Sequence, residues 1–301
     1  MRSKEVALVL SSGGARGIAH IGVIQSLLEE GYTIKSISGS SMGGVIGGFY
    51  AAGYLDNFAE WICSLSKMDV FRLMDFTLSS QGFIKGYKVF DEMKKFIEDV
   101  NIEDMDIPFS AIAADISTRE EVVFNSGSLL TALRATVAIP SILTPYEVDG
   151  VQLVDGGVVN PIPIQHVSRT GNEILVSVDV NAMIPYEKAP DSPERKKEKK
   201  KEQDDFTKLA NQLKKKWEEI FPEKPPQPKK LGLLDLMSES LSLMQSQLSQ
   251  MTIEKYNPDI QVAISNDACA TFDFHKSREM IKEGKRAFSL SYEKFLAGES
   301  Q

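Results

Sequence analysis

The segment most suited to chemistry is the pentapeptide Gly39-Ser40-Ser41-Met42-Gly43, which places a serine between two glycines. It lies between the apolar segment 34–37 and the small-residue run 43–53, an order that predicts strand, sharp turn and helix. In that setting the central serine projects from a strained turn, and only glycine fits beside it. Ser41 is therefore the candidate nucleophile, although an ordinary loop rich in glycine and serine matches the same pattern. The glycines that continue into the helix each cost about 1 kcal/mol relative to alanine, which predicts close approach to neighbouring backbone.

A glycine-rich loop lies upstream, where the apolar run 6–10 leads into Ser11-Ser12-Gly13-Gly14-Ala15-Arg16-Gly17 and then into a helix that Gly31 would end. A loop between a strand and a helix binds anions through its backbone N–H groups. A dinucleotide phosphate would need glycine in place of Ser12 and an acidic residue about 20 residues further on, and neither is present. No Gly-Lys-Ser/Thr follows either. An oxyanion hole for Ser41 is the better interpretation.

A nucleophilic serine needs a base, and the sequence offers few histidines: His20, His166 and His275. None of them falls in a recognisable catalytic loop. A solvated histidine, or one satisfied in the core, is the preferred interpretation of each. A Ser-Asp-His order through His166 or His275 stays open at this point.

An aspartate is the better candidate for the base. Asp155 follows the predicted strand 151–154 and precedes Gly156 and Gly157, which allow close backbone approach. The alternative interpretation is an ordinary turn, because Asp-Gly-Gly is a sequence that favours turns. Asp115, at the end of another predicted strand, is a rival acid, and we interpret it as a residue that caps its own turn.

Three motifs in this order resemble the patatin-like phospholipase family: Gly-Gly-Ala-Arg-Gly at 13–17, Gly-Ser-Ser-Met-Gly at 39–43 and Asp-Gly-Gly-Val-Val-Asn-Pro-Ile-Pro at 155–163. Intervening segments, among them 134–140, also resemble bacterial members, and the similarity covers residues 5–181 and, weakly, 231–296. The resemblance implies a serine–aspartate dyad without histidine, with Ser41 as nucleophile and Asp155 as general base.

The resemblance also implies roles for the glycine-rich motifs. The oxyanion hole would comprise Gly13, Gly14, Ala15 and Arg16, and the motifs would be supported by Gly17, Gly39, Gly43, Gly156 and Gly157. The substrate would be a lipid or another carboxylic ester, hydrolysed without calcium, any other metal or a cofactor. One departure is Ser12, because the family's loop normally begins with three glycines. Two alternatives stay open: a thioesterase or small-ester esterase with the same machinery, or a regulatory or scaffold protein with little turnover.

Composition limits the function classes. The chain has 301 residues, of which 42% are hydrophobic, and a formal net charge of -8, so it can bury a sizeable core. The acidic balance disfavours a nucleic-acid partner. Two distant cysteines, Cys63 and Cys269, are too few for a disulfide framework or a metal site, which favours a reducing compartment. The apolar run 6–10 is too short for a secretory signal, so we expect a cytoplasmic protein.

Alternating strands and helices predict an α/β fold, a three-layer α/β/α sandwich with a mixed, mainly parallel sheet. The predicted strands are 6–10, 34–37, 109–116, 121–124, 151–154, 174–180 and 260–264. Strands 109–116 and 121–124 are expected to form an antiparallel hairpin. The predicted helices are 58–71, 89–99, 128–137 and 277–296, with a loop at 76–88. We expect a catalytic core over 1–185 and a C-terminal part, 231–301, that completes it.

Between these parts, residues 186–230 are rich in proline, lysine and glutamate and predict a solvated insertion. An amphipathic stretch at 205–221 could dock on the domain, contact lipid peripherally or bind a partner. After it, apolar residues spaced by three and four predict a helix packed on its own domain rather than a coiled coil. They are Leu234, Met237, Leu241, Met244, Leu248 and Met251.

Overall fold

The computed structural model describes residues 3–79, 82–186 and 233–298. The strands in these ranges are β1 (Glu5–Leu10), β2 (Thr33–Ser40), β3 (Phe76–Ser79), β4 (Gly82–Ile84), β5 (Phe109–Asp115), β6 (Glu120–Phe124), β7 (Tyr146–Val148), β8 (Val151–Asp155), β9 (Ile174–Ala182) and β10 (Ile260–Ser265). The α-helices are α1 (Ala19–Glu29), α2 (Met42–Ala51), α3 (Leu55–Ser64), α4 (Lys67–Leu73), α5 (Tyr87–Met93), α6 (Leu129–Thr136), α7 (Leu233–Tyr256) and α8 (Ser277–Ala297).

A mixed sheet of eight strands forms the centre of the molecule. Its order is β10-β9-β1-β2-β5-β8-β7, and β6 also pairs with β5. The strands from β10 to β5 are parallel, whereas β6 and β8 run antiparallel to β5, as β7 does to β8. The predicted mixed, mainly parallel sheet and the antiparallel hairpin are therefore confirmed.

Strand β1 lies in the middle of the sheet and is buried on both faces. Alternate residues of a strand point to opposite faces. Val6, Leu8 and Leu10 accordingly join the main core beneath α1, α2 and α8, whereas Ala7 and Val9 pack on the other side with Ile253 and Tyr256 of α7. Helices cover both faces of the sheet, which confirms the three-layer α/β/α architecture.

Three local predictions between residues 58 and 99 are wrong. The helix expected at 58–71 is two helices, α3 and α4, because Ser66 accepts a hydrogen bond from the Asp69 N–H and starts a new helix with a capping box. The helix expected at 89–99 ends at Met93 in α5. The loop expected at 76–88 contains the antiparallel pair β3 and β4 instead.

Helix α7 is confirmed, but the expected buried seam is wrong in part. Met237, Met244 and Met251 are all exposed, at 49%, 55% and 65%. Ser249 is buried instead, and Ile253 and Tyr256 pack on the sheet, so the buried face is rotated away from the methionines. Leu241 and Leu248 of the predicted seam are half-buried, so the spacing predicted the helical period correctly but placed only part of the buried face.

Apart from Tyr186, the predicted insertion 186–230 lies outside the described residues, as does the amphipathic stretch 205–221. Within the described ranges, no helix has both the length and the apolar character needed to cross a bilayer.

Candidate active site

Ser41 occupies a strained turn between β2 and α2. Its φ of 53° is rare for a residue with a side chain. A β-carbon at Gly43 would lie 2.2 Å from the Leu10 carbonyl oxygen, so α2 approaches the end of β1 as closely as the glycines predicted. The Ser41 N–H donates to Thr136 Oγ1 at 2.8 Å, and Thr136 Oγ1 itself donates to the Ile112 carbonyl. Thr136 therefore fixes the backbone of the turn.

Asp155 ends β8 directly opposite this turn. The Ser41 hydroxyl donates to Asp155 Oδ2 at 2.5 Å, and the Gly157 N–H donates to Oδ1 at 2.7 Å. The Asp155 N–H donates to the Ala138 carbonyl at 3.0 Å, which anchors the strand end. Both carboxyl oxygens are thus held, one by the loop and one by the serine.

Burial decides the acidity of this carboxyl group. Asp155 is only 4% exposed, and desolvation raises its pKa to about 6, against the lowering effect of the bonds from Ser41 and Gly157. A buried charge is costly because water no longer solvates it. Near neutral pH the group is still ionised, but it is a stronger base than an ordinary aspartate.

The glycine loop follows β1 and forms a short 3₁₀ turn, Gly14–Ile18, preceding α1. Gly14 has φ of 56°, and a β-carbon there would lie 2.6 Å from the Thr271 carbonyl oxygen. The Ala15 N–H donates to that carbonyl at 2.8 Å. Ala15 is therefore not available as an oxyanion donor in this conformation, contrary to expectation, because the segment before α8 already uses its N–H.

The two glycines differ from Ala15 in this respect. No acceptor in the described part of the chain takes the N–H of Gly13 or Gly14.

Arg16 is placed differently from an anion-binding side chain. Its guanidinium donates to Asn181 Oδ1 and to the carbonyls of Val180 and Cys269, all on the side of β9 and β10. Arg16 holds the loop, and burial lowers its pKa.

The remaining motif residues show how the three loops meet. A β-carbon at Gly17 would lie 2.5 Å from Met42 Cγ, so the glycine loop touches the residue after Ser41. A β-carbon at Gly157 would lie 2.9 Å from Ser12 Cβ and 3.0 Å from Asp155 Oδ1. Gly39 packs against the backbone of Gly43 in the same way, and Gly156 begins a 3₁₀ turn after Asp155.

Ser12 is buried at 2% exposure beside the Asp155 loop. Its hydroxyl has no hydrogen-bond partner among the described residues. Its backbone is fully held: the N–H donates to the Pro161 carbonyl at 2.8 Å, and the carbonyl accepts from Asn181 Nδ2 at 2.7 Å and from Ser11 Oγ at 3.0 Å. Serine in place of the family's glycine therefore fits without displacing the loop.

None of the histidines bonds to Ser41 or Asp155. His20 is fully buried, with Nε2 2.9 Å from the Ser11 carbonyl oxygen, and desolvation lowers its pKa to about 4. His166 Nε2 lies 3.0 Å from a carboxylate oxygen of Glu121. Burial also lowers the pKa of His275. His20 is thus a core residue, as interpreted from the sequence, although its Nδ1 has no hydrogen-bond partner among the described residues.

Three residues that the sequence did not indicate surround the predicted site: Thr136, Asn181 and Thr271. Each acts on the backbone of a motif residue from a distant part of the chain. Gln245 of α7 is a fourth, with Nε2 2.7 Å from where a β-carbon at Gly157 would lie. Thr136 belongs to the segment 134–140 that resembles bacterial members, which was the only available signal for any of them.

Comparison with known proteins agrees with the motif order. The sequence model of the patatin-like phospholipase family matches residues 8–167. A protein of Mycobacterium tuberculosis, described as an uncharacterized NTE family protein, is 31% identical over 97% of this chain and 92% of its own. Lysophospholipase NTE1 of Saccharomyces cerevisiae is 30% identical over 60% of this chain but only 11% of its own length.

Among solved structures, VipD from Legionella pneumophila matches with a TM-score of 0.44 and 12% identity. That alignment covers 98% of this chain and 67% of VipD.

Proposed function

Because the chain belongs to the patatin-like phospholipase family, we propose that it is a lipid acyl hydrolase that cleaves carboxylic esters with Ser41 as nucleophile and Asp155 as general base. The observation that supports this most is the 2.5 Å hydrogen bond from the Ser41 hydroxyl to Asp155 Oδ2 on a strained turn. The hydroxyl already points its proton at the group that would accept it.

The environment of Asp155 suits a base that works alone. Histidine normally serves this role because its pKa lies near neutrality. Burial brings the pKa of Asp155 to about 6, within the same range, while the Gly157 N–H keeps Oδ1 from rotating toward the serine. Oδ2 therefore remains the proton acceptor throughout the reaction.

The proposed reaction has two halves. Asp155 takes the Ser41 proton as Oγ attacks the ester carbonyl, and it then gives that proton to the departing alcohol oxygen as the C–O bond breaks. In the second half, Asp155 takes a proton from water as the water oxygen attacks the acyl-serine. Asp155 returns this proton to Ser41 Oγ as the carboxylic acid leaves, so the protein ends unchanged.

The negative oxygen that forms in each half needs donors. The N–H groups of Gly13 and Gly14 are the best candidates, because they belong to the loop that touches Met42 and carry no competing acceptor among the described residues. Loss of one such donor costs about 10² to 10³ in rate in serine hydrolases. The departure at Ser12 leaves these two amides in place.

The substrate class follows from the family and from the relatives. The yeast relatives are described as lysophospholipases, and we propose a glycerolipid acyl ester as the substrate here. The test is hydrolysis by the purified full chain of phosphatidylcholine, lysophosphatidylcholine, a triglyceride and an acyl-CoA, with Ser41→Ala as the inactive variant. Ser40→Ala is the matched control, since the neighbouring Ser40 hydroxyl is buried and has no partner in the described chain.

We expect fatty acid release from the phospholipid substrates by the wild type and by Ser40→Ala, and none by Ser41→Ala. Preference for the acyl-CoA would replace the lipase proposal with a thioesterase. No release from any substrate by a folded wild type would favour a protein with a structural or regulatory role.

A further inference from the structure

We propose that Asn181 is a positioning residue for the oxyanion hole, because it holds the Ser12 carbonyl so that the next amide, that of Gly13, faces Ser41. The inference rests on the proposed function. Asn181 belongs to the end of β9, outside all three sequence motifs, and it touches no reacting atom in the proposed mechanism. Its effect would pass entirely through one peptide group.

The side-chain amide of Asn181 is held in one orientation. Asn181 is 6% exposed, and its Oδ1 accepts from Arg16 Nη2 at 2.7 Å and from Nε at 3.3 Å. Arginine can only donate, so the oxygen must face Arg16 and the Nδ2 group must face the other way. Nδ2 then donates to the Ser12 carbonyl at 2.7 Å.

A second donor acts on the same carbonyl from the same side. Ser11 Oγ donates to the Ser12 carbonyl at 3.0 Å and accepts from the Val180 N–H at 3.0 Å. Both donors therefore belong to, or are held by, the end of β9. The Ser12 carbonyl is drawn toward that strand.

The sheet order gives the direction of the amide that follows. In a trans peptide the C=O and the N–H point in opposite directions. Strand β1 lies between β9 and β2, so a Ser12 carbonyl that faces β9 sends the Gly13 N–H toward the β2 side. Ser41 stands at the end of β2.

This peptide needs such a restraint more than the two peptides before it do. The N–H groups of Ser11 and Ser12 are tied to the carbonyls of Val178 and Pro161. The peptide between Ser12 and Gly13 is followed by glycine, whose backbone rotates freely, so it can flip at low cost. A flip of this peptide would present the Ser12 carbonyl oxygen, an acceptor, to the developing oxyanion in place of the Gly13 N–H.

The test variant is Asn181→Asp. An aspartate keeps the shape and the oxygen that Arg16 binds, but it replaces the Nδ2 donor with a second acceptor. Ser177→Ala is the matched control, because Ser177 is a fully buried residue of the same strand whose hydroxyl has no partner among the described residues. Turnover is normalised to sites titrated with a fluorophosphonate, so that misfolded protein does not count.

We expect Asn181→Asp to lower kcat by about 10- to 100-fold with KM within twofold, and to slow fluorophosphonate labelling by a similar factor, because a misdirected donor forfeits part of the 10² to 10³ that one donor contributes. Ser177→Ala should keep wild-type kcat. If Asn181→Asp does not fold, Ser11→Ala removes the other donor to the same carbonyl and should lower kcat about 3- to 10-fold on the same scale.

A titrated kcat within twofold of wild type in the folded variant would overturn the inference, as would a loss carried by KM alone. The proposed function fails separately: it fails if Ser41→Ala retains activity, whereas an inactive Ser41→Ala beside a fully active Asn181→Asp removes only the positioning role.

Discussion

Two aspartates end neighbouring, antiparallel strands, and their surroundings give them opposite chemistry. Asp155 ends β8 and Asp115 ends β5, and the pairing of Ala113 with Asp155 and of Asp115 with Leu153 places them two residues apart along the ladder. Asp155 meets one backbone N–H and one serine hydroxyl in a buried site. Asp115 accepts from the N–H groups of Ser117 and Thr118 in its own turn.

The pKa shifts follow these surroundings. Burial raises the pKa of Asp155 to about 6, whereas the hydrogen bond from the Ser117 N–H, with help from Thr118, lowers the pKa of Asp115. A carboxylate that receives several N–H donors is stabilised as the anion and becomes a poor base. A strand-end aspartate thus has a raised pKa where the fold removes water without supplying a full set of donors, which is the property that the proposed base requires.

The largest expected effect is on turnover. Asp155→Asn should lower kcat by about 10³ or more, because an amide cannot accept the Ser41 proton. Asp115→Asn should keep kcat within threefold, since its oxygens serve only the turn. Ester hydrolysis by the two purified variants measures both. Comparable losses in the two would mean that Asp115 shares the role assigned to Asp155.

The next effect is the pH dependence of wild-type kcat/KM. Above the pKa of Asp155, about 6, the base is ionised and the rate should be flat. Below it, kcat/KM should fall about tenfold per pH unit as the carboxylate is protonated.

A histidine would titrate in the same range, so the control is the profile of His166→Ala and of His275→Ala. Both should keep the wild-type midpoint. A midpoint that disappears in either variant would restore a Ser-Asp-His arrangement.

Stability should change with pH in opposite directions at the two sites. A folded-state pKa raised above the unfolded value means that the folded protein binds more protons between about pH 4 and 6, so stability falls as pH rises through that window. Asp155→Asn removes this cost. Above pH 6 the free energy of unfolding of this variant should exceed that of the wild type by up to about 3 kcal/mol, at about 1.4 kcal/mol per pKa unit.

For Asp115 the pKa is lowered, so its stabilisation is present above the unfolded pKa and is lost on acidification. Asp115→Asn should therefore be less stable than the wild type at neutral pH and equal to it in acid. Urea unfolding at several pH values measures both differences. Parallel curves for the two variants would refute the contrast between the sites.

The smallest expected effect concerns Ser12. Its hydroxyl makes no bond to the described chain and its backbone is held by others, so Ser12→Gly should keep kcat within about threefold. Gly157→Ala is the contrasting variant, since a β-carbon there would meet Ser12 and Asp155 Oδ1 and should lower kcat strongly. A large loss of kcat in Ser12→Gly would mean that the Ser12 hydroxyl takes part in the reaction.

The turns at Ser41 and Asp155 could be predicted from the sequence because the local residue types in each motif are enough to indicate a turn at a strand end. Ser41 between glycines and Asp155 before glycines need no distant information to be recognised as turns at strand ends. Thr136, Asn181 and Thr271 could not be found this way, because each acts across the chain on a backbone group. Their residue types are ordinary, and only the folded sheet brings them near the motifs.

Elements with weak or divided signals were also predicted less well. The break at Ser66 depends on a cap that competes with a continuous apolar period, and tertiary packing decides between them. Helix α7 shows the same limit, since its period was correct while Met237, Met244 and Met251 face outward. Burial is a property of the assembled layers, and a single helix does not encode which side they cover.

Fluorophosphonate labelling of the full chain, followed by peptide mass spectrometry and a comparison of labelling rates, tests the Ser41–Asp155 dyad most directly. We expect one adduct, on the peptide that carries Ser41, with labelling at least about 100-fold slower in Asp155→Asn. An adduct on a different serine, or an equal labelling rate in folded Asp155→Asn, would contradict the Ser41–Asp155 dyad.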